Sequence, residues 1–217
     1  MGRPAGRTNK GHETEKQRLA GLIAARLLQA DGTNASFQEL AEACAVSRAT
    51  LRHYFQDHHG ALQAAIDSLA QQGDVHITSV VSADLGTARD AISALIRLFA
   101  LAWQRYGVGP IQRMGLAIGL HDAQIGPFYI QKLLEPTLQA FEQRLQIHIQ
   151  RGELRPMDTR TGALLLLSPL ILALLHQEQL GGRTCRPLDI DAFLSEHLDA
   201  FFRAWSTTSP LPEQGLQ

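Results

Sequence analysis

Two short helices separated by a tight turn are the feature that most restricts the fold of this chain. Ser36, followed three residues later by Glu39, has the spacing of a capping box. In that motif the serine hydroxyl accepts a hydrogen bond from an amide of the first turn, and the glutamate accepts one from the cap amide. The helix that begins there ends near Cys44, and Ser47 is placed to cap a second helix. Two short helices joined by three or four residues are typical of a helix-turn-helix.

The rest of the chain also has helical periodicity. A first helix is predicted from about Thr14 to the stop at Asp31 and Gly32, because its apolar residues recur every three or four positions: Ala20, Ile23, Ala24, Leu27 and Leu28. Further helices are predicted over residues 60–72, 87–106, 110–120, 125–151, 159–180 and 189–205. There is little β-branched alternation, and no Asn-Gly or Asp-Gly hairpin turn separates two alternating runs. We therefore predict an all-α fold of about nine helices.

Four regions are predicted along the chain. Residues 1–12 form a flexible basic arm, residues 13–62 a helix-turn-helix head of three helices, residues 63–206 a helical body and residues 207–217 a frayed tail. The segment up to Leu62 carries eight basic and six acidic residues, whereas the whole chain has a net charge of -1. Any contact with DNA therefore requires a local basic surface rather than a general positive charge.

Composition argues against several other classes of protein. Cys44 and Cys185 do not have the spacing of a zinc or redox motif, so we predict no metal, no cofactor and a reducing, cytoplasmic location. The most apolar stretch, residues 162–175, is shorter than the ~20 residues that cross a bilayer, and residues 1–12 lack the apolar core of a signal peptide. No nucleophile elbow, phosphate loop or metal-ligand spacing indicates an enzyme.

Residues 36–62 read SFQELAEACAVSRATLRHYFQDHHGAL and resemble the DNA-binding head of the tetracycline-repressor (TetR) family of transcriptional regulators. The resemblance begins with the apolar stripe of the first helix and continues through matched positions at fixed spacing: Ser36, Leu40, Ala41, Val46, Ser47, Thr50, Leu51, Tyr54 and Phe55. It implies a dimeric repressor that leaves a palindromic operator when a small-molecule effector binds. The alternatives are an activator, a helical ligand-binding protein whose head no longer reads DNA and, last, an enzyme.

The predicted DNA contacts lie on and around the second helix of the motif. Arg48 can bind guanine O6 and N7, and Ala49 is small enough to meet a thymine methyl group. The positive end of the helix favours a phosphate, and the resemblance assigns Ser36, Thr50, Tyr54 and position 52 mainly to phosphates. The full predicted set is Ser36, Ser47, Arg48, Ala49, Thr50, Arg52, His53, Tyr54 and His58. The basic arm can lie in a neighbouring minor groove, or it can act only as a solubilising tail.

Three positions depart from the family pattern. Ala45 replaces the usual glycine of the turn, which costs roughly 1 kcal/mol if the turn requires a left-handed backbone. Arg52 replaces the usual tyrosine and can still bind a phosphate. His58 replaces the usual lysine, and because a neutral imidazole is the weaker phosphate partner, DNA affinity is expected to fall as the pH rises through the range in which histidine titrates.

The body is predicted to bind an effector and to form a homodimer. By resemblance, the last two long helices pair with their copies; residues 163–175 are apolar almost all round and need cover from a partner subunit or from the monomer core. A two-fold dimer would place its reading helices about 34–36 Å apart, in successive major grooves. The predicted ligand-contacting residues are apolar side chains with a few polar groups: Trp103, Tyr106, Met114, His121, Phe128 and Tyr129.

Overall fold

The computed structural model describes residues 6–82 and 86–208, with side chains over residues 11–72 and 86–208. Within these ranges the chain forms helices and no strand, so the predicted all-α fold is confirmed. The α-helices are α1 Gly6–Leu27, α2 Phe37–Ala43, α3 Arg48–Phe55, α4 His58–Ser82, α5 Ala88–Arg105, α6 Val108–His121, α7 Ile125–Tyr129, α8 Glu135–Gln150, α9 Thr159–Leu174, α10 Gly182–Cys185 and α11 Ile190–Trp205.

Helix α1 begins earlier than its apolar pattern indicates. It starts at Gly6, well before the predicted Thr14, so residues 6–12 are helical although they were predicted to belong to a flexible arm. The buried stripe of this helix begins only at Leu19, and apolar periodicity cannot locate the start of a helix whose first turns carry no core residue. Residues 1–5 of the predicted arm, and residues 209–217 of the predicted tail, lie outside the described residues.

Two π-helical turns interrupt the long helices of the body. The single helix predicted over residues 125–151 is divided into α7, a π turn over Ile130–Leu134 and α8. A second π turn, Leu175–Gln179, follows α9, and the one-turn helix α10 was not predicted. The division of the helix predicted over residues 125–151, together with the added helix α10, explains why the described residues contain more helices than the predicted nine. A π turn keeps helical hydrogen bonding while it changes the period locally, which a 3.6-residue pattern does not reveal.

The chain divides into two compact units. The first comprises residues 1–75 and 110–134, and the second comprises residues 76–109 and 135–217. In the first unit, Met114, Ile118 and Ile125 belong to the same buried cluster as the core residues of α1 to α4. Residues 110–134 therefore pack with the head, whereas the predicted division placed them in the body beyond residue 62. A small three-helix head has too little interior of its own, and these residues enlarge it.

Polar contacts reinforce the packing of residues 110–134 within the first unit. His59 Nε2 lies 2.8 Å from Asp122 Oδ2, and Lys132 Nζ lies 2.9 Å from Asp67 Oδ1. Arg113 donates a hydrogen bond of 3.3 Å to the carbonyl oxygen of Leu28 at the end of the first helix. The apolar cluster and these polar contacts together make residues 110–134 a structural part of the head.

The second unit is built on α5, α8, α9 and α11. Arg160, in the first turn of α9, binds the carboxylates of Glu135 and Glu142 on α8. Glu153, in the turn after α8, accepts a hydrogen bond of 2.5 Å from the Ala88 amide at the start of α5. One described segment, Thr159–Gln179, has the length and apolar character of a membrane span. Of its apolar 18-residue stretch, 39% is buried inside the protein.

Candidate nucleic-acid interface

Both predicted helix caps of the helix-turn-helix are present. Ser36 Oγ accepts a hydrogen bond from the Glu39 amide at 3.3 Å, and the Glu39 carboxylate accepts one from the Ser36 amide at 2.7 Å. Hydrogen bonding of its carboxylate to the Ser36 amide, and then to the Ser36 hydroxyl, holds the pKa of Glu39 below its usual value. Ser47 Oγ accepts a hydrogen bond from the Thr50 amide at 3.0 Å and lies 2.9 Å from Thr50 Oγ1. The two caps fix the first turns of α2 and α3.

Helix α3 has one buried face and one exposed face. Leu51 and Phe55 are buried in the head core, while the exposed face carries most of the predicted DNA contacts: Arg48, Ala49, Thr50, Arg52 and His53. Neither Arg48 nor Arg52 forms a hydrogen bond or ion pair with any residue that the structure describes. Two uncompensated guanidinium groups on one short exposed helix form a local basic surface, in a chain whose net charge is close to zero.

The backbone is strained at both ends of α3. Ala45, in the turn before the helix, has a φ of 54°, so the condition under which an alanine here costs stability relative to glycine is met. Gln56, directly after the helix, has φ 69° and ψ -60°, and the Asp57 amide donates a hydrogen bond of 2.8 Å to the Phe55 carbonyl. This geometry is a γ-turn of the rare, strained form. Two non-glycine residues with positive φ therefore bracket the helix.

Replacing Ala45 by glycine is expected to raise the free energy of unfolding by roughly 1 kcal/mol, because glycine adopts positive φ without a clash of its side chain. Ala43 is exposed and is the last helical residue of α2, so Ala43→Gly provides the matched control and should lower the same free energy by up to about 0.5–1 kcal/mol. Urea unfolding followed by circular dichroism measures both. If both variants raised, or both lowered, the free energy of unfolding, the strain assigned to Ala45 would be contradicted.

The His58 side chain is held within the head by a hydrogen bond to the backbone. Its ring is partly buried, and Nε2 donates a hydrogen bond of 2.9 Å to the Ala35 carbonyl oxygen. Its neighbour His59 is paired with Asp122. Only Nδ1 of His58 remains for another partner, so its role at a phosphate stays a prediction. The pair of adjacent histidines thus contributes to the packing of the head.

His12 is a residue at this surface that the sequence interpretation missed. It lies on the early turns of α1, and its ring stacks on Tyr54 with centroids 4.7 Å apart. The missing signal was the helical character of residues 6–13. Once that segment is helical, His12, Lys16 and Leu19 fall on one side of α1 at spacings of four and three residues. Leu19 is buried in the head core, so that side faces the protein rather than open solvent.

The predicted ligand-contacting residues are distributed over both units. In the first unit, Met114 and Tyr129 are buried, Phe128 is half-buried, and His121 is exposed at the end of α6. The Tyr129 hydroxyl donates a short hydrogen bond to Gln112, and burial raises the pKa of this tyrosine. In the second unit, Trp103 is buried.

Two of these predicted ligand contacts, Tyr106 and His121, are exposed rather than buried. Tyr106 is 72% exposed because it caps the C-terminal end of α5, where the helix stops before Gly107, which has a φ of 80°. His121 is exposed because it is the last residue of α6, where its Nδ1 lies 2.9 Å from the Ala117 carbonyl oxygen. Helix periodicity predicts the buried face within a helix but not at a terminus, where the chain turns away.

The buried Trp103 has an unsatisfied donor. The indole Nε1 has no hydrogen-bond partner among the described residues. A Cβ atom added at Gly109 would lie 2.7 Å from this nitrogen, so the backbone of Gly109 packs directly on the ring. A buried indole N–H normally has an acceptor, which makes Trp103 the candidate ligand contact with the clearest chemical reason.

A cavity of about 620 Å³ lies elsewhere in the second unit, and none of the predicted ligand residues lines it. Its walls include Arg97 and Leu101 of α5, Gln177 of the second π turn and Leu188 before α11. The buried Gln177 amide donates to the Arg186 carbonyl at 3.0 Å and accepts from the Leu188 amide at 3.1 Å. The sequence alone did not indicate this cavity, because its shape depends on the hydrogen bonds between the Gln177 side chain and the backbone of Arg186 and Leu188.

Comparison with known proteins identifies the fold. No protein-family model and no curated protein matches the sequence. Among solved structures, a protein from Mesorhizobium loti MAFF303099 assigned to the TetR family of transcriptional regulators is 16% identical, with a TM-score of 0.70 over 90% of this chain and 98% of that one. A transcriptional regulator from Saccharomonospora viridis in complex with choline is 19% identical, with a TM-score of 0.64 over 88% and 97%.

A third similar structure is the transcriptional regulator FadR from Bacillus subtilis in complex with stearoyl-CoA. It is 15% identical, with a TM-score of 0.61 over 87% of this chain and 97% of that chain. At such identities the likeness concerns the fold. Over about nine-tenths of its length, the chain has the all-α fold of the TetR-family regulators.

Proposed function

We propose that this chain, folded like the TetR-family transcriptional regulators, is itself a sequence-specific DNA-binding regulator of transcription. The observation that carries the proposal is the exposed face of α3. Arg48 and Arg52 project from a capped helix and are not compensated by any described residue, so both are available to DNA. Arginine binds guanine and phosphate oxygens with paired donors. Hydroxyl groups for the neighbouring phosphates come from Ser36, Thr50 and Tyr54.

We further propose that the chain acts as a homodimer through α9 and α11. Three leucines of α9 are exposed in the protomer and form one side of that helix: Leu164, Leu165 and Leu172. The exposed side of α11 includes three alanines, Ala192, Ala200 and Ala204. Large apolar side chains against small residues allow close packing between two copies. A two-fold dimer presents two copies of α3, which is why the proposed operator is a palindrome.

The proposed regulation is release of a repressor by a small molecule. Two structures with this fold hold choline and stearoyl-CoA, so the fold accommodates small ligands of different chemistry. In this chain, the unpartnered Nε1 of Trp103 would donate to an oxygen of the effector. An effector that binds the DNA-free conformation more tightly shifts the population away from the operator. We place this activity in the cytoplasm, where DNA and effector are both accessible.

The proposal is tested by selecting bound duplexes from a random pool with the full-length protein at about 0.1 M salt, where surface charges are already partly screened. We expect a palindrome to be enriched. Arg48→Ala should weaken binding to that palindrome by about 1–3 kcal/mol for each of its two half-sites, which is roughly 5- to 150-fold for each head, and relax the preference at one position of each half-site.

Arg105→Ala is the control for that selection, because Arg105 is an exposed arginine of α5 in the second unit. It should leave both the selected sequence and the affinity unchanged. A folded protein that enriches no sequence would contradict DNA reading. Once the palindrome is known, a reporter gene placed behind it, in cells with and without the protein, separates repression from activation.

A further inference from the structure

A cluster of three aromatic rings joins the first helix to α3. His12 stacks on Tyr54, with centroids 4.7 Å apart and planes at 27°. The same ring meets His53 edge to face, with centroids 5.6 Å apart and planes at 84°. His53 and Tyr54 are themselves in contact, with centroids 5.3 Å apart. We call His12, His53 and Tyr54 the imidazole cluster.

The imidazole cluster is open on the side that carries the predicted DNA contacts. His53 is exposed and lies next to Arg52 on the outer face of α3, while His12 and Tyr54 are half-buried. Both imidazoles are therefore positioned by packing yet reachable by a ligand. No hydrogen bond or ion pair to a described residue occupies the ring nitrogens of His12 or His53.

The charged groups around the cluster favour an anion. On α3 the neighbouring charge is Arg52, and the first acidic residue after that helix, Asp57, already binds the Gly60 amide at 2.9 Å. On α1 the charged residues within two turns of His12 in the sequence are Arg7, Lys10, Glu13, Glu15, Lys16 and Arg18. Of these, Glu15 is paired with Arg18 at 2.7 Å. A negatively charged ligand at the cluster therefore meets mainly cations and titratable imidazoles.

We infer that the imidazole cluster binds a phosphate of the DNA backbone, and that His12 is a contact outside the helix-turn-helix motif. This inference rests on the proposed DNA-binding function. A protonated imidazole donates a charge-assisted hydrogen bond to a phosphate oxygen, and the stacked ring of Tyr54 stabilises the cation by a cation–π interaction. Because histidine changes its charge between pH 5 and 8, DNA affinity increases as the pH falls.

The structure favours the imidazole cluster, rather than His58, as the source of the expected pH dependence of DNA affinity. The sequence analysis attributed that dependence to His58, but the His58 ring donates Nε2–H to the Ala35 carbonyl oxygen. The neighbouring His59 is paired with Asp122. These two imidazoles already have protein partners. His12 and His53 have ring contacts only, so a phosphate is the partner that their protonation would favour.

The test measures the binding of full-length protein to a labelled duplex of mixed sequence, about 40 base pairs long, which accommodates two half-sites one helical turn apart. Phosphate contacts do not depend on sequence, so the operator need not be known. Affinity is measured by fluorescence anisotropy over a range of salt concentrations at pH 6 and pH 8. The slope of log affinity against log salt concentration counts phosphates, at about 0.9 for each.

We expect wild-type affinity to be higher at pH 6 than at pH 8 by about tenfold for each head, or roughly a hundredfold for the dimer, since a hydrogen bond to a charged group contributes about tenfold. Because the cluster binds one phosphate in each head, His12→Gln and His53→Gln should each reduce the salt slope at pH 6 by up to about two per dimer. Neither variant should change the slope at pH 8. His59→Gln removes an imidazole of the same head that faces Asp122, and should retain the wild-type slopes.

Three results would overturn the inference in different ways. Equal slopes for wild type and His12→Gln at pH 6 would remove His12 from the interface and leave DNA binding intact. A loss of affinity that is the same at pH 6 and pH 8 would assign His12 a structural role only. No binding by the wild type at either pH, even at low salt, would remove the proposed function together with this inference. Thermal unfolding of each variant establishes that it is folded.

Discussion

Replacing Leu172 by glutamate is expected to convert the proposed homodimer into a monomer. Leu172 is 65% exposed in the protomer, on the same side of α9 as Leu164 and Leu165. In a two-fold interface the substitution occurs twice and places two like charges in an apolar contact. An unpaired buried charge costs about 3–5 kcal/mol, so the dissociation constant should rise by at least about a thousandfold. Binding to a palindrome should weaken with it, because the two heads are no longer joined.

Sedimentation velocity over a range of protein concentrations measures this change directly. Leu120→Glu is the matched control, since Leu120 is 81% exposed on α6 in the first unit, outside the proposed interface. The control should sediment like the wild type. If Leu172→Glu remained a dimer, the exposed leucines of α9 would not form the interface, and pairing of the two heads would need another surface.

Trp103→Ala is expected to lower the free energy of unfolding by about 3–5 kcal/mol. The side chain is only 2% exposed, and the backbone of Gly109 lies against its ring. Phe99 packs beside it with ring centroids 5.9 Å apart. Removing the indole therefore leaves a cavity bordered by Phe99 and the backbone of Gly109. Urea unfolding followed by far-ultraviolet circular dichroism, at one fixed protein concentration, measures the loss.

Trp103→Phe separates the packing of this side chain from its polar atom. Phenylalanine retains most of the aromatic surface and removes the N–H group that has no acceptor among the described residues. A buried unsatisfied donor destabilises by about 1–3 kcal/mol, so its removal should offset much of the lost packing. We expect Trp103→Phe to lose less than half as much stability as Trp103→Ala. Equal losses would mean that Nε1 has an acceptor in the folded protein.

Local signals in the sequence were sufficient to predict the helix-turn-helix. The Ser36–Glu39 capping box, the Ser47 cap and the left-handed turn at Ala45 each depend on a few adjacent residues. Such features are determined by backbone hydrogen bonds and local sterics, which operate over one turn. Exposure of Arg48 and burial of Leu51 follow from the same helix period. The predicted DNA-binding face is therefore a direct consequence of local rules.

Features that depend on distant contacts were not predictable in this way. The first helix extends to Gly6 without core residues in its early turns, and His12 was missed for that reason. The π turn at Ile130–Leu134 alters the helical period, so the pattern over residues 125–151 indicated one uninterrupted helix. Residues 110–134 pack with the head through Met114 and its neighbours, a pairing of segments far apart in the chain. Tyr106 was misplaced because helix ends, unlike helix faces, are set by the following turn.

Ala45 and Gln56 have a consequence for the proposed DNA recognition beyond their effect on folding. A residue with a side chain can occupy only a narrow range of positive φ, whereas glycine moves through a wide one. The two bends that hold α3 are therefore stiffer than glycine bends would be. A reading helix whose direction is restricted before DNA arrives loses less conformational entropy when it binds. Under the proposed function, part of the affinity for DNA would thus be set in the free protein by two residues that need not contact DNA.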